Sequence, residues 1–293
     1  MLKNTRRFKK KTFKYLIIGS NGLLGSVLKT YLPKTQTFSV ARNNSNYNLN
    51  LLNFKKLEHL FNIYKFEFVI NCAAITNLNY CEKNKKIAWK TNTLLPEKLS
   101  NLSKKNNCKY IHISTDHLFS SQKIKFYTEN STLKSINYYS KTKLIAEKKI
   151  INNKNNLIIR TNFTGFKKNN IQTTFIGWIL YSIQHKKKIQ LFNDMFTSTI
   201  DVSFLSKTIF KLVKLNAKGI LNIAAKDCIS KKDFAIYFSK LIGKKIRYEE
   251  ISVNKIKPQR GKCMCLNIDK VEKKLGIKMI NSKQVIRNLV NQI

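Results

Sequence analysis

The stretch that decides the fold is Tyr15-Leu16-Ile17-Ile18-Gly19-Ser20-Asn21-Gly22-Leu23-Leu24-Gly25. A short apolar run leads into a glycine-rich turn, and a segment of helical periodicity, residues 26–32, follows it and stops before Pro33. Strand, glycine turn and helix in this order are typical of a dinucleotide site, because the glycines let the backbone and the helix N-terminus approach a pyrophosphate. The spacing is Gly-x-x-Gly-x-x-Gly, which differs in its first interval from the Gly-x-Gly-x-x-Gly fingerprint. We therefore predict a nucleotide-binding turn rather than a purely structural one.

The second strand, residues 37–40, is followed by Ala41 and Arg42. A site that prefers NAD would place an acidic residue near this point to bind the ribose hydroxyls, whereas a guanidinium can hold a 2′-phosphate with two hydrogen bonds. Arg42 therefore favours NADP over NAD. The alternative is that Arg42 is a solvated surface residue without a ligand.

Strands and helices alternate along the first half of the chain. Such alternation predicts an α/β fold with a Rossmann-type, doubly wound parallel sheet and right-handed crossovers. The predicted strands after the second are residues 66–74, 109–116 and 157–160, and the predicted helices are residues 57–64 and 85–105.

Beyond residue 165 the pattern changes. A helix over residues 175–185, a strand over 219–224 and a helix over 234–242 predict a smaller C-terminal α/β region. We therefore divide the chain into a basic flexible tail (1–14), an NAD(P)-binding Rossmann domain (15–165) and a mainly substrate-binding region (166–293), from which some elements return to the Rossmann sheet.

The formal charge of +41 on 293 residues invites a nucleic-acid hypothesis. Lysine is nevertheless spread over every segment, and only residues 1–14 form a run of charge. We find no basic stripe with interleaved aromatic residues, so a composition bias on solvated surfaces is the favoured interpretation, without specific nucleic-acid binding. No apolar run approaches the ~20 residues of a membrane span, and the N-terminus lacks the apolar core of a signal peptide, which predicts a cytoplasmic protein.

The six cysteines are scattered, and only Cys263 and Cys265 are closely spaced. No second cluster or nearby histidine completes a metal site in the sequence. Acidic residues that could build an inter-subunit metal site are sparse as well. We therefore predict reduced thiols and no bound metal.

Tyr139 and Lys143 lie four residues apart at the start of a predicted helix that runs to Ile150. This spacing places both side chains on one face, where an ammonium beside a phenol lowers the phenol pKa and makes it a proton donor to a carbonyl. The spacing alone is weak evidence in a chain so rich in lysine, and it gains weight from Thr115 upstream. Thr115 ends a predicted strand and can hydrogen-bond a substrate oxygen, although a cap or turn hydroxyl is the alternative.

Five motifs in this order resemble those of the extended short-chain dehydrogenase/reductase family, and within it most closely the dTDP-4-dehydrorhamnose reductase branch of nucleotide-sugar enzymes. They are residues 19–25, 70–76, 112–119, 139–147 and 160–163. The resemblance implies that Tyr139 donates the proton, that Lys143 lowers its pKa and binds the nicotinamide ribose, and that Thr115 orients the ketone. Hydride would come from the cofactor.

The resemblance also implies a set of binding residues. Those for the cofactor are Gly19, Gly22, Leu23, Leu24 and Gly25 at the pyrophosphate turn, Arg42 at the adenosine end, Asn50 and Leu51 at the adenine, and Ala74, Ile75 and Thr76 beside the ribose and nicotinamide, with Tyr139 and Lys143. Those for the sugar nucleotide are Thr115, Asp116 and Phe163.

Three positions depart from the pattern of this branch. His117 stands where the branch usually has tyrosine, Asn50 where an acid is common, and Phe163 where tryptophan often stacks on the sugar nucleotide. A related substrate or an unusual sugar is consistent with these departures.

The favoured function is NADPH-dependent reduction of a 4-keto-6-deoxy nucleotide sugar in nucleotide-sugar biosynthesis. A dehydratase is less favoured, because Asp116 is followed by His117 rather than by glutamate. An epimerase of the same superfamily stays open, as does a non-catalytic NADP-binding subunit like the regulatory subunit of methionine adenosyltransferase, although Thr115, Tyr139 and Lys143 favour catalysis. The sugar, the base and the oligomeric state, a homodimer included, are not determined.

Overall fold

A computed structural model describes residues 10–167 and 171–293. Residues 1–9 of the predicted tail and residues 168–170 of the predicted C-terminal region lie outside the described residues. The described strands are β1 (Lys11–Ile18), β2 (Thr37–Ala41), β3 (Tyr47–Asn48), β4 (Tyr64–Asn71), β5 (Lys109–Ile113), β6 (Phe126–Tyr127), β7 (Leu157–Thr161), β8 (Phe163–Thr164), β9 (Lys188–Phe192), β10 (Phe196–Thr197), β11 (Ile200–Asp201), β12 (Gly219–Ile223), β13 (Ile229–Ser230), β14 (Arg247–Ile251) and β15 (Cys265–Leu266). The described α-helices are α1 (Leu23–Tyr31), α2 (Phe54–Ile63), α3 (Leu78–Lys83), α4 (Lys85–Trp89), α5 (Leu95–Lys105), α6 (Tyr138–Ile150), α7 (Phe175–Gln184), α8 (Val202–Lys214), α9 (Lys231–Leu241), α10 (Asp269–Leu275) and α11 (Ser282–Val290).

Seven strands form one parallel sheet in the order β12-β7-β5-β4-β1-β2-β3. This confirms the predicted α/β class with a doubly wound parallel sheet. The strand order runs outward from β1 in one direction to β2 and in the other to β4, so the chain reverses direction beside β1. In open sheets of this kind, ligands bind at the carboxyl ends of the strands at that reversal.

Strand β1 begins at Lys11, which pairs with Tyr64 at the start of β4. The prediction of a flexible tail over residues 1–14 is therefore wrong for residues 11–14, which belong to β1. The basic residues of this segment obscure the strand pattern. Phe13 of β1 packs its ring 4.9 Å from that of Phe38 and 5.7 Å from that of Tyr64. These aromatic contacts extend the sheet into the predicted tail.

The predicted helix over residues 85–105 is divided in the structure. Between α4 and α5 the segment Lys90–Leu94 is a π-helix. Such segments are rare and often occur at functional sites, because they displace side chains from the regular helical face. Here Asn92 and Thr93 of the segment are buried and hydrogen-bond Ile75 and Thr142.

The C-terminal half shares the core of the N-terminal half. Strand β12 lies next to β7 at one edge of the large sheet, and α8 packs against α1. One buried cluster contains Ile17, Ile159, Ile209 and Phe234 together. The boundary at residue 165 therefore divides the sequence but not this core, and the division into two functional regions stays a prediction.

Cys228 and Cys265 are 37 residues apart in the sequence, but the segment after β12 brings Cys228 against β15, with the two Cα atoms 5.8 Å apart. The sulfur atoms of Cys228, Cys263 and Cys265 lie within 4.8 Å of one another, and the predicted reduced state stays a prediction. The sulfur of Cys263 lies 3.6 Å from that of Cys265. Sequence spacing could not reveal that Cys228 joins the two closely spaced cysteines.

In the part of the chain that the structure describes, no helix has both the length and the apolar character needed to cross a membrane.

Candidate active site

The glycine turn lies at the carboxyl end of β1, where the strand order reverses. Gly19 has a φ of +78°, and a Cβ there would lie 2.8 Å from the Cα of Ala73. A Cβ on Gly25 would lie 2.4 Å from the carbonyl oxygen of Gly19. Both positions therefore need glycine, one for its backbone conformation and one for the close approach of α1 to the turn.

The N-terminus of α1 points its free amides into this turn. Its N-cap is Gly22, which provides no side-chain hydrogen bond to the first turn of the helix. The first amides of a helix have no intrahelical partner and carry a partial positive charge, so they bind anions such as phosphate.

Two cavities meet at the turn. The first, which we call the turn cavity, has a volume of about 810 Å³ and reaches from Gly22 to Arg42 and Asn50. The second, the central cavity, has a volume of about 460 Å³ and reaches from Gly22 to Thr115 and Tyr139. Residues that line both are Gly22, Cys72, Ala73, Ala74 and Lys167.

Most of the predicted cofactor residues line these two cavities. In the turn cavity they are Gly19, Gly22, Arg42, Asn50, Leu51, Ala74 and Ile75, and in the central cavity Gly22, Leu23, Leu24, Ala74, Thr76, Tyr139 and Lys143. Gly25 lines neither and packs beneath the turn. Arg42 is exposed directly after β2, at the outer end of the turn cavity. The structure thus places the residues along one continuous path.

Thr115 and Tyr139 meet in the central cavity. Thr115 follows β5 and is 3% exposed, Tyr139 is in the first turn of α6 and is 7% exposed, and both line the cavity. Burial raises the pKa of Tyr139, and the hydroxyl of Thr115 opposes that rise only in part. The phenol is therefore protonated at neutral pH and can act as an acid. The predicted lowering of this pKa by Lys143 is not found in the structure.

Lys143 is bound by the sheet rather than by Tyr139. Its Nζ lies 2.9 Å from Nε2 of His112 and donates a hydrogen bond of 2.6 Å to the carbonyl oxygen of Ile113. Burial lowers the pKa of Lys143 to about 7, and the nearby charge of Glu147 opposes that shift. Lys143 can therefore change its protonation state near neutral pH.

His112 links Lys143 to polar groups in the core. Its Nδ1 lies 3.3 Å from the hydroxyl of Tyr110, which accepts a hydrogen bond of 3.1 Å from Asn71. Burial, with the charge of Lys143 second, holds the pKa of His112 well below its usual range, so the imidazole is neutral. Sequence analysis missed His112, although a polar residue inside the buried strand β5 is a signal that could have found it.

The π-helical segment fastens α6 to the loop after β4. Asn92 accepts a hydrogen bond of 2.9 Å from the backbone N–H of Ile75 and donates one of 2.9 Å to the carbonyl oxygen of the same residue. The hydroxyl of Thr93 donates a hydrogen bond of 2.8 Å to the carbonyl oxygen of Thr142. Asn92 and Thr93 therefore fix Ile75 and α6 relative to each other, and no sequence motif pointed to them.

A buried ion pair attaches α6 to β7. Nη2 of Arg160 lies 2.7 Å from Oε2 of Glu147, and Nη1 of Arg160 donates a hydrogen bond of 2.9 Å to the carbonyl oxygen of Glu129. Removal of one partner of such a pair typically costs ~3–5 kcal/mol, because the other charge stays buried. The pair holds the helix that carries Tyr139 and Lys143 in one position on the sheet.

The predicted sugar residues lie at the far wall of the central cavity. Asp116 is 1% exposed and accepts a hydrogen bond of 2.8 Å from Nδ2 of Asn162. Burial raises the pKa of Asp116. Phe163 follows Asn162 and lines both the central cavity and a third cavity behind it. The structure therefore brings Thr115, Asp116 and Phe163 together as predicted by resemblance.

The third cavity, which we call the lateral cavity, has a volume of about 840 Å³ and is lined by four cationic side chains. Lys187 and Lys188 are exposed, whereas Lys231 and Arg260 are more buried, and sequence analysis missed both of these. Nζ of Lys231 donates a hydrogen bond of 3.0 Å to Thr199 and lies 4.6 Å from the ring centroid of Phe175. Burial lowers the pKa of Lys231 to about 8, against the charge of Asp116.

Arg260 is the second of the more buried cations of the lateral cavity. Its guanidinium lies 5.5 Å from the ring centroid of Phe192, and its buried Nε has no hydrogen-bond partner among the described residues. Neither Arg260 nor Lys231 has a carboxylate within 4.0 Å in residues 10–167 and 171–293. Two cations without an anionic partner, in a cavity lined by aromatic side chains, suit a phosphate-containing ligand with a ring.

Comparison with known proteins gives a family match over nearly the whole chain. The family model described as the RmlD substrate binding domain matches residues 13–293. A probable low-salt glycan biosynthesis reductase of Haloferax volcanii, Agl14, is 25% identical over 277 residues, which cover 89% of this chain and 91% of that protein.

Two further similarities bear on the choice between a reductase and a non-catalytic regulatory subunit. Methionine adenosyltransferase 2 subunit beta of Xenopus tropicalis is 30% identical over 144 residues, which cover 47% of this chain and 42% of that protein. A crystal structure of dTDP-4-dehydrorhamnose reductase from Bacillus anthracis in complex with NADP superimposes with a TM-score of 0.86 at 20% identity, over 97% of this chain and 100% of the other.

Proposed function

Since this chain belongs to the RmlD substrate-binding domain family, we propose that it is an NADPH-dependent reductase of a 4-keto nucleotide sugar. The observation that carries the proposal is the meeting of Tyr139 and Thr115 in the central cavity, which adjoins the glycine turn on one side and the lateral cavity on the other. A proton donor thus lies between a candidate cofactor site and a candidate nucleotide site.

The residues present fit a dinucleotide. The uncapped N-terminus of α1 suits the pyrophosphate, and a Cβ on Gly22 would lie 3.3 Å from the Gly19 carbonyl oxygen, a tight contact that favours glycine there. Arg42 would hold a 2′-phosphate, which supports NADPH as the form used. The nicotinamide would supply hydride to the carbonyl carbon.

The chain supplies the proton and the orientation. Tyr139 and Thr115 would both hydrogen-bond the carbonyl oxygen, and the Tyr139 hydroxyl would donate its proton as negative charge develops there. A sugar alkoxide in water is a stronger base than a phenolate, which favours this transfer, and the burial that raises the pKa of Tyr139 reduces that advantage. Lys143, on the same face of α6 one turn later, would bind the nicotinamide ribose from the position that His112 and Ile113 give it.

The lateral cavity would hold the nucleotide part of the substrate. Arg260 and Lys231 would contact the diphosphate, and the aromatic side chains of Phe175, Trp178 and Phe192 would contact the base. Phe163 stands between the two cavities, where the sugar would join the diphosphate. A dTDP-linked sugar of the rhamnose pathway is the substrate that the family membership supports first.

A non-catalytic regulatory subunit is the second candidate, since the Xenopus relative is a subunit of a methionine adenosyltransferase. The presence of Thr115, Tyr139 and Lys143 together in the lining of the central cavity favours catalysis over that role. A cytoplasmic location and a homodimer stay predictions.

The test is incubation of the purified protein with NADPH and dTDP-4-keto-6-deoxy-D-glucose or related 4-keto nucleotide sugars, with the absorbance of the reduced nicotinamide followed over time. Consumption of NADPH that depends on the sugar supports the reductase. Thermal stabilisation by NADPH without consumption, across several such sugars, would support the regulatory subunit instead.

A further inference from the structure

His117 lies against the proposed proton donor. The imidazole ring of His117 and the ring of Tyr139 meet edge to face, with their centroids 5.6 Å apart. Nδ1 of His117 is buried and has no hydrogen-bond partner in the described part of the chain. A buried imidazole nitrogen without a partner is unusual, because such groups are normally satisfied. Within the described residues this nitrogen therefore lacks the hydrogen bond that such a group normally makes.

His117 also stands at the junction of the two cavities. It lines the central cavity together with Thr115 and Tyr139, and the lateral cavity together with Lys231 and Arg260. A ligand whose carbonyl reaches Tyr139 and whose phosphates reach the two cations has to pass this ring. The part of such a ligand nearest to His117 is the sugar ring itself.

The imidazole is in the form that accepts a proton. Burial lowers the pKa of His117, and Arg260 and Lys231 add to that shift while the charge of Asp116 opposes it. Neutral imidazole is a general base at neutral pH.

A 4-keto sugar offers that base a specific target. The hydrogens on the two carbons bonded to a carbonyl carbon are acidic, since the electron pair left behind moves onto the carbonyl oxygen. The acidity rises further when hydrogen-bond donors such as Thr115 and Tyr139 hold that oxygen. The site thus combines a base with two hydrogen-bond donors, Thr115 and Tyr139, that would stabilise an enolate.

We propose that His117 acts as a catalytic base on the ketone substrate and that this chain therefore exchanges with solvent the hydrogen of a carbon–hydrogen bond next to the carbonyl group. This second activity rests on the proposed function only through the shared class of substrate, a 4-keto nucleotide sugar. It does not require NADPH.

The step is balanced without any redox partner. The His117 imidazole takes the proton from the carbon, the electrons of the broken carbon–hydrogen bond form a carbon–carbon double bond, and the carbonyl π electrons move to oxygen. Tyr139 and Thr115 hydrogen-bond the enolate oxygen. The imidazolium exchanges its proton with solvent, and return of a proton from His117 to the same carbon restores the ketone and the neutral imidazole.

The test separates this exchange from reduction. Wild-type protein is incubated in D₂O with dTDP-4-keto-6-deoxy-D-glucose and NADP⁺, so that no hydride is available, and deuterium uptake at the carbons next to the carbonyl is followed by NMR and mass spectrometry. Reduction is measured separately with NADPH. The variants are His117→Gln and His117→Phe, and the matched control is His59→Phe, which changes an exposed histidine on α2.

We expect deuterium uptake by the wild type and by His59→Phe above the rate without protein. In both His117 variants the ratio of exchange rate to reduction rate should fall by at least ~10²-fold, the lower range for removal of a general base. Exchange in His117→Gln at the wild-type ratio, or a wild type that reduces the ketone without taking up deuterium, would overturn the proposal. A wild type that exchanges deuterium but never consumes NADPH would refute the reductase and leave the role of His117 supported.

Discussion

Nζ of Lys143 lies 2.9 Å from Nε2 of His112, and both side chains are buried. Lys143, which the sequence analysis paired with Tyr139, is thus held by His112 of strand β5. The amine of Lys143 has a second contact, a hydrogen bond to the carbonyl oxygen of Ile113. The two contacts together restrict the orientation of the side chain, whereas an unbound ammonium could turn toward any nearby acceptor. These contacts fix the amine at the wall of the central cavity.

The first prediction concerns His112 as a positioning residue. His112→Phe leaves Lys143 one hydrogen bond short, so we expect roughly a tenfold loss in kcat/KM, the equivalent of ~1–1.5 kcal/mol for one such bond. The pH–rate profile should move as well, because the imidazole that contacts the Lys143 amine is gone. His112→Gln, which keeps an acceptor, should recover most of the activity. An unchanged pH profile in His112→Phe would contradict the role.

The second prediction concerns stability and pH. Burial lowers the Lys143 pKa from its ordinary 10.5 to about 7. Between these values the unfolded chain binds the proton and the folded chain does not, so unfolding takes up a proton and stability rises with pH over that window. Relative to Lys143→Met, the cofactor-free wild type should gain up to ~1.4 kcal/mol per pH unit from pH 7 upward.

Urea denaturation at several pH values between 7 and 10 measures this difference. Lys141→Met is the matched control, because Lys141 is on the same helix and exposed. Its curve should run parallel to that of the wild type. A Lys143→Met curve that is also parallel to the wild type would show that Lys143 is not buried in solution as it is here.

The third prediction concerns the choice of cofactor. Arg42→Ala should weaken NADPH binding by roughly ten- to a hundredfold and change NADH binding little, because a charge-assisted pair with the 2′-phosphate is worth ~1.5–3 kcal/mol. Titration calorimetry with both cofactors measures the two affinities. Arg247→Ala, at an exposed arginine of β14, should change neither. Equal losses for the two cofactors would remove the reason for preferring NADP.

The sheet and the glycine turn could be predicted from the sequence because their signals are local. An apolar strand, a turn that needs glycine and a helix follow one another within the eleven residues from Tyr15 to Gly25. The predicted site residues Thr115 and Tyr139 were likewise marked by their positions at the end of a strand and the start of a helix. Their meeting in one cavity follows from the parallel sheet, since all its strands end at one edge.

The remaining parts of the site depend on contacts between distant residues, which leave no local pattern. Asn92 reaches Ile75 across 17 positions, and Lys143 reaches His112 across 31. Lys231 and Arg260 lie in stretches that resemble the rest of a lysine-rich chain, so only the cavity distinguishes them. The basic tail was predicted too long because its charged residues obscure the pattern of the strand that begins at Lys11.

The most direct test of the central claim is a comparison of Tyr139→Phe with the wild type in the reduction of a 4-keto-6-deoxy nucleotide sugar. The substitution removes one hydroxyl and keeps the ring that packs against His117. The wild type should consume NADPH in proportion to the ketone added, and Tyr139→Phe should lose at least ~10²-fold of that turnover while its NADPH affinity stays within about threefold. Equal turnover by the two proteins would contradict Tyr139 as the proton donor.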